Sequence, residues 1–270
     1  MPKMKYFVIS DIHIFYTEMM TSLISNVFDI QNPDHKVIIC GDAFDRGCET
    51  IKMFEWLKEM KLKDKLIYVR DNHEDLLEDV FRRNRITNID VSKGTYLTIK
   101  HLAQEQRGQI IDDFDAMSNI NTLLSDAYKT GIVQFLDESC IDYYEARNYI
   151  FVHSFIHTKY DDLTKNSIII QSWRKNATQR DWASSRWTNG LSMSIDCGLR
   201  ESGKTIVVGH YHTSYGHVRD FYGKDYSKVY LRSLEFEPNS NFSFWKENGI
   251  IALDGCVAWT HKVNCLVLEE

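Results

Sequence analysis

The stretch that decides the fold is Lys36–Gly47, which reads KVIICGDAFDRG. Its first part, Lys36–Cys40, is a short apolar run that predicts a buried β-strand. The chain then turns polar at Gly41 and supplies two aspartates and an arginine within five residues. In α/β proteins the polar groups that bind ligands gather where buried strands end, because the loops there lie free of the packed layers. This stretch therefore indicates both a strand and the edge of a site.

Strands and helices alternate on both sides of Lys36–Gly47. Further strands are predicted at Lys5–Ser10 and Lys65–Val69, and helices at Thr17–Ile30, Glu49–Met60 and His73–Arg85. The alternation predicts an α/β domain with parallel strands at its centre. Later strands are predicted at Tyr149–His153, Thr205–Val208, Lys228–Arg232, Ile250–Leu253 and Val263–Leu268. The last part of the chain is thus richer in strands, which predicts a second sheet packed on the first.

Residues 88–142 differ from their surroundings because they are polar, follow a helical pattern and contain no strong strand. We interpret them as a helical insertion or cap. No Pro-rich linker divides the chain, which has only three prolines. We therefore predict a single domain over residues 1–270, with the helical insertion at about 88–142.

Composition excludes several classes of function. The formal net charge is −6, which disfavours broad binding to nucleic-acid backbones, because such binding needs clustered positive charge. The six cysteines form no CxxC pair, which is typical of reduced thiols in a cytoplasmic protein. The N-terminus lacks the apolar segment of a signal peptide, and no stretch approaches the ~20 apolar residues of a membrane span.

Five predicted strands each end in side chains that bind metals. In chain order these are Asp11 with His13, Asp42, Asn72 with His73, His153, and His210 with His212. Carboxylate, amide and imidazole ligands together suit manganese, iron or zinc better than calcium, and the absence of thiolates argues against a structural zinc site. The set is large enough for two ions, with one carboxylate bridging them. Asp42 is the candidate bridge.

The motifs SDIH, GDAFDRG, NHE, VH and GHYH, in this order, resemble those of the calcineurin-like metallophosphoesterases. The arginine in GDAFDRG and the late segment IALDGCV (Ile251–Val257) resemble the serine/threonine phosphoprotein phosphatase branch. That branch includes small bacterial and bacteriophage phosphatases and diadenosine tetraphosphate hydrolases. The resemblance implies a four-layer αββα sandwich of two mixed sheets flanked by helices. It also implies a cytoplasmic enzyme, in the host cytoplasm if a phage encodes it.

The resemblance further implies a role for each matching residue. Asp11, His13 and His212 would bind the first metal, Asp42 would bridge, and Asn72, His153 and His210 would complete the second site. Manganese is the favoured metal, with iron, zinc and nickel as alternatives.

The same resemblance assigns the phosphate-binding and catalytic groups. Arg46 would hold phosphate oxygens as a planar donor, together with Asn72 and Arg174. His73 would protonate the leaving oxygen and Asp45 would orient it. The family pattern is Trp-x-Arg, whereas Trp173 and Arg174 are adjacent here.

Two residues depart from family glycines. Ile14 replaces the glycine after the first histidine, and Asp71 replaces the glycine before the Asn-His-Glu motif. Glycine at such positions permits an unusual φ or a close backbone approach. We expect Ile14 to narrow the mouth of the pocket and Asp71 to add a negative charge near the metals.

These features predict a metal-dependent phosphoesterase that hydrolyses phosphate monoesters by means of a metal-bridging hydroxide. A serine/threonine protein phosphatase-like enzyme, acting on phosphorylated proteins or small phosphates, is the favoured interpretation. One alternative is a nucleotide pyrophosphohydrolase similar to the diadenosine tetraphosphate hydrolases, and another is a nucleic-acid end phosphatase. The net charge of −6 disfavours nuclease action. A catalytically inactive scaffold is the least favoured alternative, because no ligand position is lost.

Overall fold

A computed structural model describes residues 3–162, 166–223 and 227–269, and two five-stranded sheets form its centre. The first sheet contains β1 (Lys5–Ile9), β2 (His35–Ile39), β3 (Leu66–Val69), β4 (Cys140–Ile141) and β12 (Leu266–Glu269). The second contains β5 (Tyr144–Ala146), β6 (Tyr149–Phe151), β9 (Thr205–Val208), β10 (Trp245–Glu247) and β11 (Ile250–Ala252). A separate hairpin pairs β7 (Thr158–Asp161) with β8 (Asn166–Ile169).

Both sheets are mixed. The first has the order β12-β1-β2-β3-β4, in which β1 to β4 run parallel and β12 is antiparallel. The second has the order β10-β11-β9-β6-β5, with a parallel centre of β11, β9 and β6 and antiparallel edges. Because parallel strands present their carboxyl ends on one side, the loops after β1, β2 and β3 share an edge, as do those after β6, β9 and β11.

Helices cover the outer faces of the sheets. Those in the first half of the chain are α1 (Tyr16–Ser25), α2 (Thr50–Leu62), α3 (Asn72–Arg83), α4 (Asn88–Lys93), α5 (Thr95–Arg107), α6 (Asp113–Ser118), α7 (Ile120–Lys129) and α8 (Ile132–Ser139). The second half contributes α9 (Trp173–Asn176), α10 (Gln179–Ser185), α11 (Gly190–Cys197), α12 (Ser214–Tyr222), α13 (Lys228–Ser233) and α14 (Val257–Thr260). In the part of the chain that the structure describes, no helix combines the length and apolarity that crossing a bilayer requires.

Three apolar layers hold the sandwich together. Alternate residues of β1 point to opposite faces, so Phe7 and Ile9 pack under the helices while Val8 packs against the second sheet. Ile206 of β9 lies in the core on the outer face of the second sheet, whereas its neighbour Val207 lies in the layer between the sheets. This arrangement confirms the four-layer αββα sandwich that the sequence predicted.

The helices of residues 88–139 lie between α3 and β4, which pairs with β3. Their buried residues, including Ile99, Leu102 and Leu136, join the same core as the outer face of the first sheet. The segment therefore packs directly on the helices that flank the site.

One predicted strand is wrong. Residues 228–232 form α13, because the hydroxyl of Ser227 accepts a hydrogen bond from the backbone N–H of Tyr230 and caps a helix there. In this turn only Leu231 is buried, whereas Val229 is 81% exposed. Val and Tyr favour strands, but in the described part of the chain these residues pair with no strand, and the Ser227 cap favours a helix. The helix predicted to reach Ile30 also ends early, at Ser25.

Candidate active site

The carboxyl ends of strands from both sheets meet at one edge of the sandwich. The ring Nδ1 of His153, which follows β6, lies 2.9 Å from the carbonyl oxygen of Cys40, which follows β2. The backbone N–H of His210, which follows β9, donates to both carboxylate oxygens of Asp11 at 3.0 Å. These bonds join the two sheets at the point where the predicted ligands are found.

The turns at this edge are sharp. Six of the predicted site residues have a positive φ of 49° to 70°: Asp11, His13, Asp42, Asp45, Arg46 and His210. Residues other than glycine rarely adopt this region, and where they do, the surrounding structure must impose it. Gly41 also has a positive φ of 81°, and a Cβ there would lie 2.5 Å from the ring of His153. Close packing thus fixes the turn that presents Asp42.

Asp42 occupies the centre of the site. One carboxylate oxygen, Oδ2, lies 3.3 Å from Nε2 of His13 and 3.9 Å from Nε2 of His73. The other oxygen, Oδ1, lies 3.5 Å from Nε2 of His153. Asp42 is 2% exposed, and Oδ1 is buried without a hydrogen-bond partner. The carboxylate therefore faces two different sets of ligands with its two oxygens.

The set beside Oδ1 contains His153, Asn72 and His210. Nε2 of His153 lies 2.7 Å from Oδ1 of Asn72 and 3.0 Å from Nδ1 of His210. Because Nδ1–H of His153 is directed at the carbonyl of Cys40, Nε2 carries a lone pair. This lone pair faces an amide oxygen and a carboxylate oxygen, and the three electron-rich atoms repel one another. The arrangement becomes favourable when a cation lies between them. This set fits a cation.

The set beside Oδ2 contains His13 and His73. Nδ1 of His13 lies 3.2 Å from the carbonyl oxygen of Phe44, which leaves Nε2 free to bind a metal next to Asp42. Backbone carbonyls that fix the tautomer of a ligating histidine are a regular feature of metal sites. The rings of His13 and His73 meet edge to face, with their centroids 5.1 Å apart.

Burial sets the electrostatics of both groups. It lowers the pKa of His153 to about 4 and that of His210 to about 2, and it also lowers the pKa of His13, with Arg46 adding to the effect. Burial and the neighbouring carboxylates raise the pKa of Asp42 well above its usual range. His13, His153 and His210 are thus neutral, as metal ligands must be, and a nearby cation would stabilise the charged form of the Asp42 carboxylate. Together with the orphaned Oδ1, these features fit a pair of divalent cations.

A second functional group lies beside Asp42. Nδ1 of His73 lies 2.8 Å from Oδ2 of Asp45, and its Nε2 lies 3.3 Å from Nη2 of the exposed Arg46. Asp45 is fully buried. The carboxylate orients the ring and leaves Nε2 directed at the open side, next to a guanidinium that can bind phosphate oxygens.

Two predicted metal ligands lie outside the groups around Asp42. Asp11 accepts hydrogen bonds from Ser10 and from the backbone of His210, and burial together with the nearby Asp254 raises its pKa. Nδ1 of His212 lies 2.8 Å from the carboxylate of Glu235. In the described residues, neither Asp11 nor His212 joins a group of three ligand atoms within 4.8 Å, so their metal-binding roles stay predictions.

Arg174 does not lie with the other predicted phosphate-binding residues. Its guanidinium pairs with Glu145 and, at 2.7 Å, with Glu201, and it covers the ring of Trp173 at 4.2 Å. Glu201 precedes the amino end of β9, whereas the candidate site follows the carboxyl end of that strand. The prediction for Arg174 therefore needs correction, since these two carboxylates hold the side chain at the opposite edge of the sheet.

The two departures from family glycines have different outcomes. Ile14 adopts a positive φ of 62° but is 1% exposed and packs in the core under the helices, so it does not narrow the mouth of the pocket. Asp71 is fully buried, and its carboxylate accepts backbone N–H bonds from Asp42, His73 and Glu74. It therefore places a buried carboxylate beside the site and also caps α3.

Sequence reasoning missed several residues at this edge. Asp254 follows β11, is 7% exposed and lies close enough to Asp11 to raise its pKa. The strand-end pattern that identified the other ligands could have identified Asp254 too. Thr95 and Thr98 bind Asp45 from α5, and no sequence signal marks them, because their helix carries no motif.

The sequence profile of the calcineurin-like phosphoesterases matches residues 4–252. The chain belongs to the calcineurin-like phosphoesterase family. This metallophosphoesterase is therefore a hydrolase that acts on phosphoric esters. No curated protein sequence matches the chain.

Solved structures similar to this metallophosphoesterase include three phosphatases. A putative diadenosine tetraphosphatase has 14% identity and a TM-score of 0.45, with 100% of this chain and 96% of that chain covered. A serine/threonine phosphatase from Saccharomyces cerevisiae, similar to human PP5, has 15% identity and a TM-score of 0.42, with 78% and 62% covered. A cold-active protein-tyrosine phosphatase from a Shewanella species has 14% identity and a TM-score of 0.45, with 99% and 76% covered.

Proposed function

We propose that this metallophosphoesterase hydrolyses phosphate monoesters at a pair of divalent cations, with manganese as the favoured metal. The observation that carries the proposal is the carboxylate of Asp42. It is buried, it directs one oxygen at His13 and the other at His153, and one of these oxygens has no hydrogen-bond partner. A carboxylate shared in this way is the feature that a two-metal site needs at its centre.

Each cation has its own candidate ligands. His13, together with Asp11 and His212, would serve one ion, while Asn72, His153 and His210 would serve the other. When bound, such a pair supplies a nucleophilic water of lowered pKa and neutralises the phosphoryl oxygens.

Residues of the chain itself bind the phosphoryl group and protonate the leaving group. Arg46 binds the phosphoryl oxygens with its planar guanidinium, and Nε2 of His73 lies beside it to give a proton to the ester oxygen. The water oxygen forms the new bond to phosphorus as the bond to the ester oxygen breaks. The departing oxygen takes the proton of His73, and Asp45 stabilises the ring through Nδ1.

A phosphorylated protein segment is the favoured substrate. A groove of about 1910 Å³ begins at Asn72 and Trp187 and extends along α3, α7 and α10. Pockets for small molecules measure roughly 300–1,000 Å³, so this groove has room for a stretch of polypeptide on either side of a phosphoserine or phosphothreonine. All six cysteines are free thiols, which is typical of a cytoplasmic protein. A cytoplasmic enzyme would meet cytoplasmic phosphoproteins.

A nucleotide is the second candidate substrate, favoured by an aromatic cluster beside His212. The ring of Phe236 lies 4.8 Å from that of His212, and Phe242 and Trp259 lie 5.7 and 5.9 Å from Phe236. Trp259 is 65% exposed. Exposed aromatic faces next to a phosphate site stack on nucleobases.

A substrate panel with Mn²⁺ tests both candidates. Phosphate release from a phosphoserine peptide, diadenosine tetraphosphate and a 5′-phosphorylated oligonucleotide is measured for the wild type and for Asp42→Asn and Trp259→Ala. We expect release from the peptide to be fastest, to disappear in Asp42→Asn and to persist in Trp259→Ala. Faster cleavage of diadenosine tetraphosphate, lost in Trp259→Ala, would instead establish the nucleotide. No release from any substrate, or undiminished release by Asp42→Asn, would contradict the proposal.

A further inference from the structure

The carboxylate of Asp45 has more partners than its role as the orienting group of His73 requires. Its Oδ2 lies 2.8 Å from Nδ1 of His73 and also accepts a hydrogen bond from the hydroxyl of Thr95 at 2.6 Å. Its Oδ1 accepts a hydrogen bond from the hydroxyl of Thr98 at 2.7 Å. Asp45 and both threonines are fully buried. Thr95 and Thr98 lie three residues apart in α5, so they share one face of the helix.

These hydroxyls supply what a buried carboxylate needs. An ionised carboxylate only accepts hydrogen bonds, and one left without donors inside a protein is strongly destabilising. The two threonines satisfy both oxygens of Asp45 and fix the plane of the carboxylate. That plane decides whether Oδ2 points at Nδ1 of His73.

The backbone beside Asp45 is held by the same helical segment. Gly94, between α4 and α5, packs so closely on Arg46 that a Cβ at Gly94 would collide with the backbone nitrogen of Arg46. Asp45 and Arg46 both have positive φ values, of 69° and 70°. Residues 94–98 therefore pack tightly against the turn that contains both Asp45 and the phosphate-binding Arg46.

We propose that Thr95 and Thr98 are positioning residues for proton delivery: they hold Asp45 so that His73 can protonate the leaving group. The helical insertion at about 88–142 thereby acts in the reaction as well as covering the core. This inference rests on the proposed function. It predicts that the threonines matter when the leaving oxygen needs a proton and matter little when it does not.

Two substrates separate these cases. Phosphoserine in a peptide leaves as an alkoxide and needs protonation, whereas p-nitrophenyl phosphate leaves as a stable phenolate. Thr98→Val keeps the shape of the side chain and removes the hydroxyl. We expect its kcat on the peptide to fall by about 10- to 100-fold, a part of what general acid catalysis contributes, with little change on p-nitrophenyl phosphate. Thr95→Val should behave in the same way.

Two further variants guard against a merely structural effect. Thr98→Ser keeps the hydroxyl and should retain the wild-type ratio of the two kcat values. Thr130→Val makes the same chemical change in the same helical segment, where the hydroxyl bonds only to the carbonyl of Ala127, and it should leave both rates unchanged. Should Thr98→Val fail to fold, a loss of the wild-type ratio in Thr98→Ser would still overturn the proposal.

A measurement without metal or substrate completes the test. The Nδ1 proton of His73, identified by its loss in His73→Gln, should give a low-field NMR signal in the metal-free protein and move upfield in Thr98→Val. An unmoved signal, or an equal fall in kcat on both substrates, would overturn the positioning role. Failure of the wild type to hydrolyse either substrate would instead refute the proposed function, so the two failures are distinguishable.

Discussion

Replacing His153 by glutamine in the metal-free protein is expected to change how its stability depends on pH. Burial lowers the pKa of His153 from 6.5 to about 4. The unfolded chain therefore takes up a proton at this ring near pH 6.5, whereas the folded protein does so only near pH 4. Between these values the unfolded state binds more protons, so stability falls as the pH falls.

The size of the effect follows from the shift. Each pKa unit corresponds to about 1.4 kcal/mol, so this ring alone removes about 3 kcal/mol of the free energy of unfolding between pH 7 and pH 4. The glutamine variant lacks this loss but retains the titration of every other group, including Asp11 and Asp42. We compare the free energy of unfolding of the variant with that of the wild type. The deficit of the variant in this free energy should therefore be about 3 kcal/mol smaller at pH 4 than at pH 7.

Urea unfolding in the presence of EDTA at the two pH values measures this difference. Ser154→Ala is the matched control, because it removes a neighbouring hydrogen bond to Thr188 without removing a titratable group. Its deficit should be the same at both pH values. A deficit of the His153 variant that does not change with pH would refute the claim that the site holds this imidazole neutral.

Other substitutions probe the same edge. Asp42→Asn should weaken Mn²⁺ binding, measured by calorimetry, by more than about 100-fold. Mutating a residue that only hydrogen-bonds to a metal ligand lowers metal affinity by up to about 100-fold, and a bridging ligand should matter more. Unchanged affinity would exclude Asp42 as the bridge. Gly41→Ala, at φ 81° with a neighbouring ring 2.5 Å from the new Cβ, should lower the free energy of unfolding by about 2–4 kcal/mol; wild-type stability would argue against the close packing. Gly94→Ala should displace Arg46 and raise KM, whereas Gly108→Ala, with a positive φ but open space around it, should leave KM unchanged; equal KM values would contradict the contact.

The sequence predicted the site best where strand ends carry it. The runs before Asp11, Asp42 and Asn72 are short and apolar, and parallel pairing brings their carboxyl ends to one edge whatever the loops do. For the same reason His153 and His210 arrive beside Asp42 from the second sheet. Local pattern and topology agree at these positions, so the sequence alone could assign residues that are far apart in the chain to one predicted site.

Prediction failed where a local cap or a tertiary contact overrides the residue pattern. Ser227 caps a helix in a segment whose Val and Tyr residues favour a strand. Thr95 and Thr98 acquire their partner only because α5 packs against the turn at Asp45, and a helical pattern does not reveal which buried hydroxyls face a carboxylate. Contacts of this kind depend on packing angles that no periodicity encodes.

Anomalous diffraction from crystals soaked in Mn²⁺ would test the central claim most directly. We expect two peaks on either side of the Asp42 carboxylate, one beside His13 and the other among Asn72, His153 and His210. A single peak remote from Asp42, or none at saturating Mn²⁺, would contradict the two-metal centre.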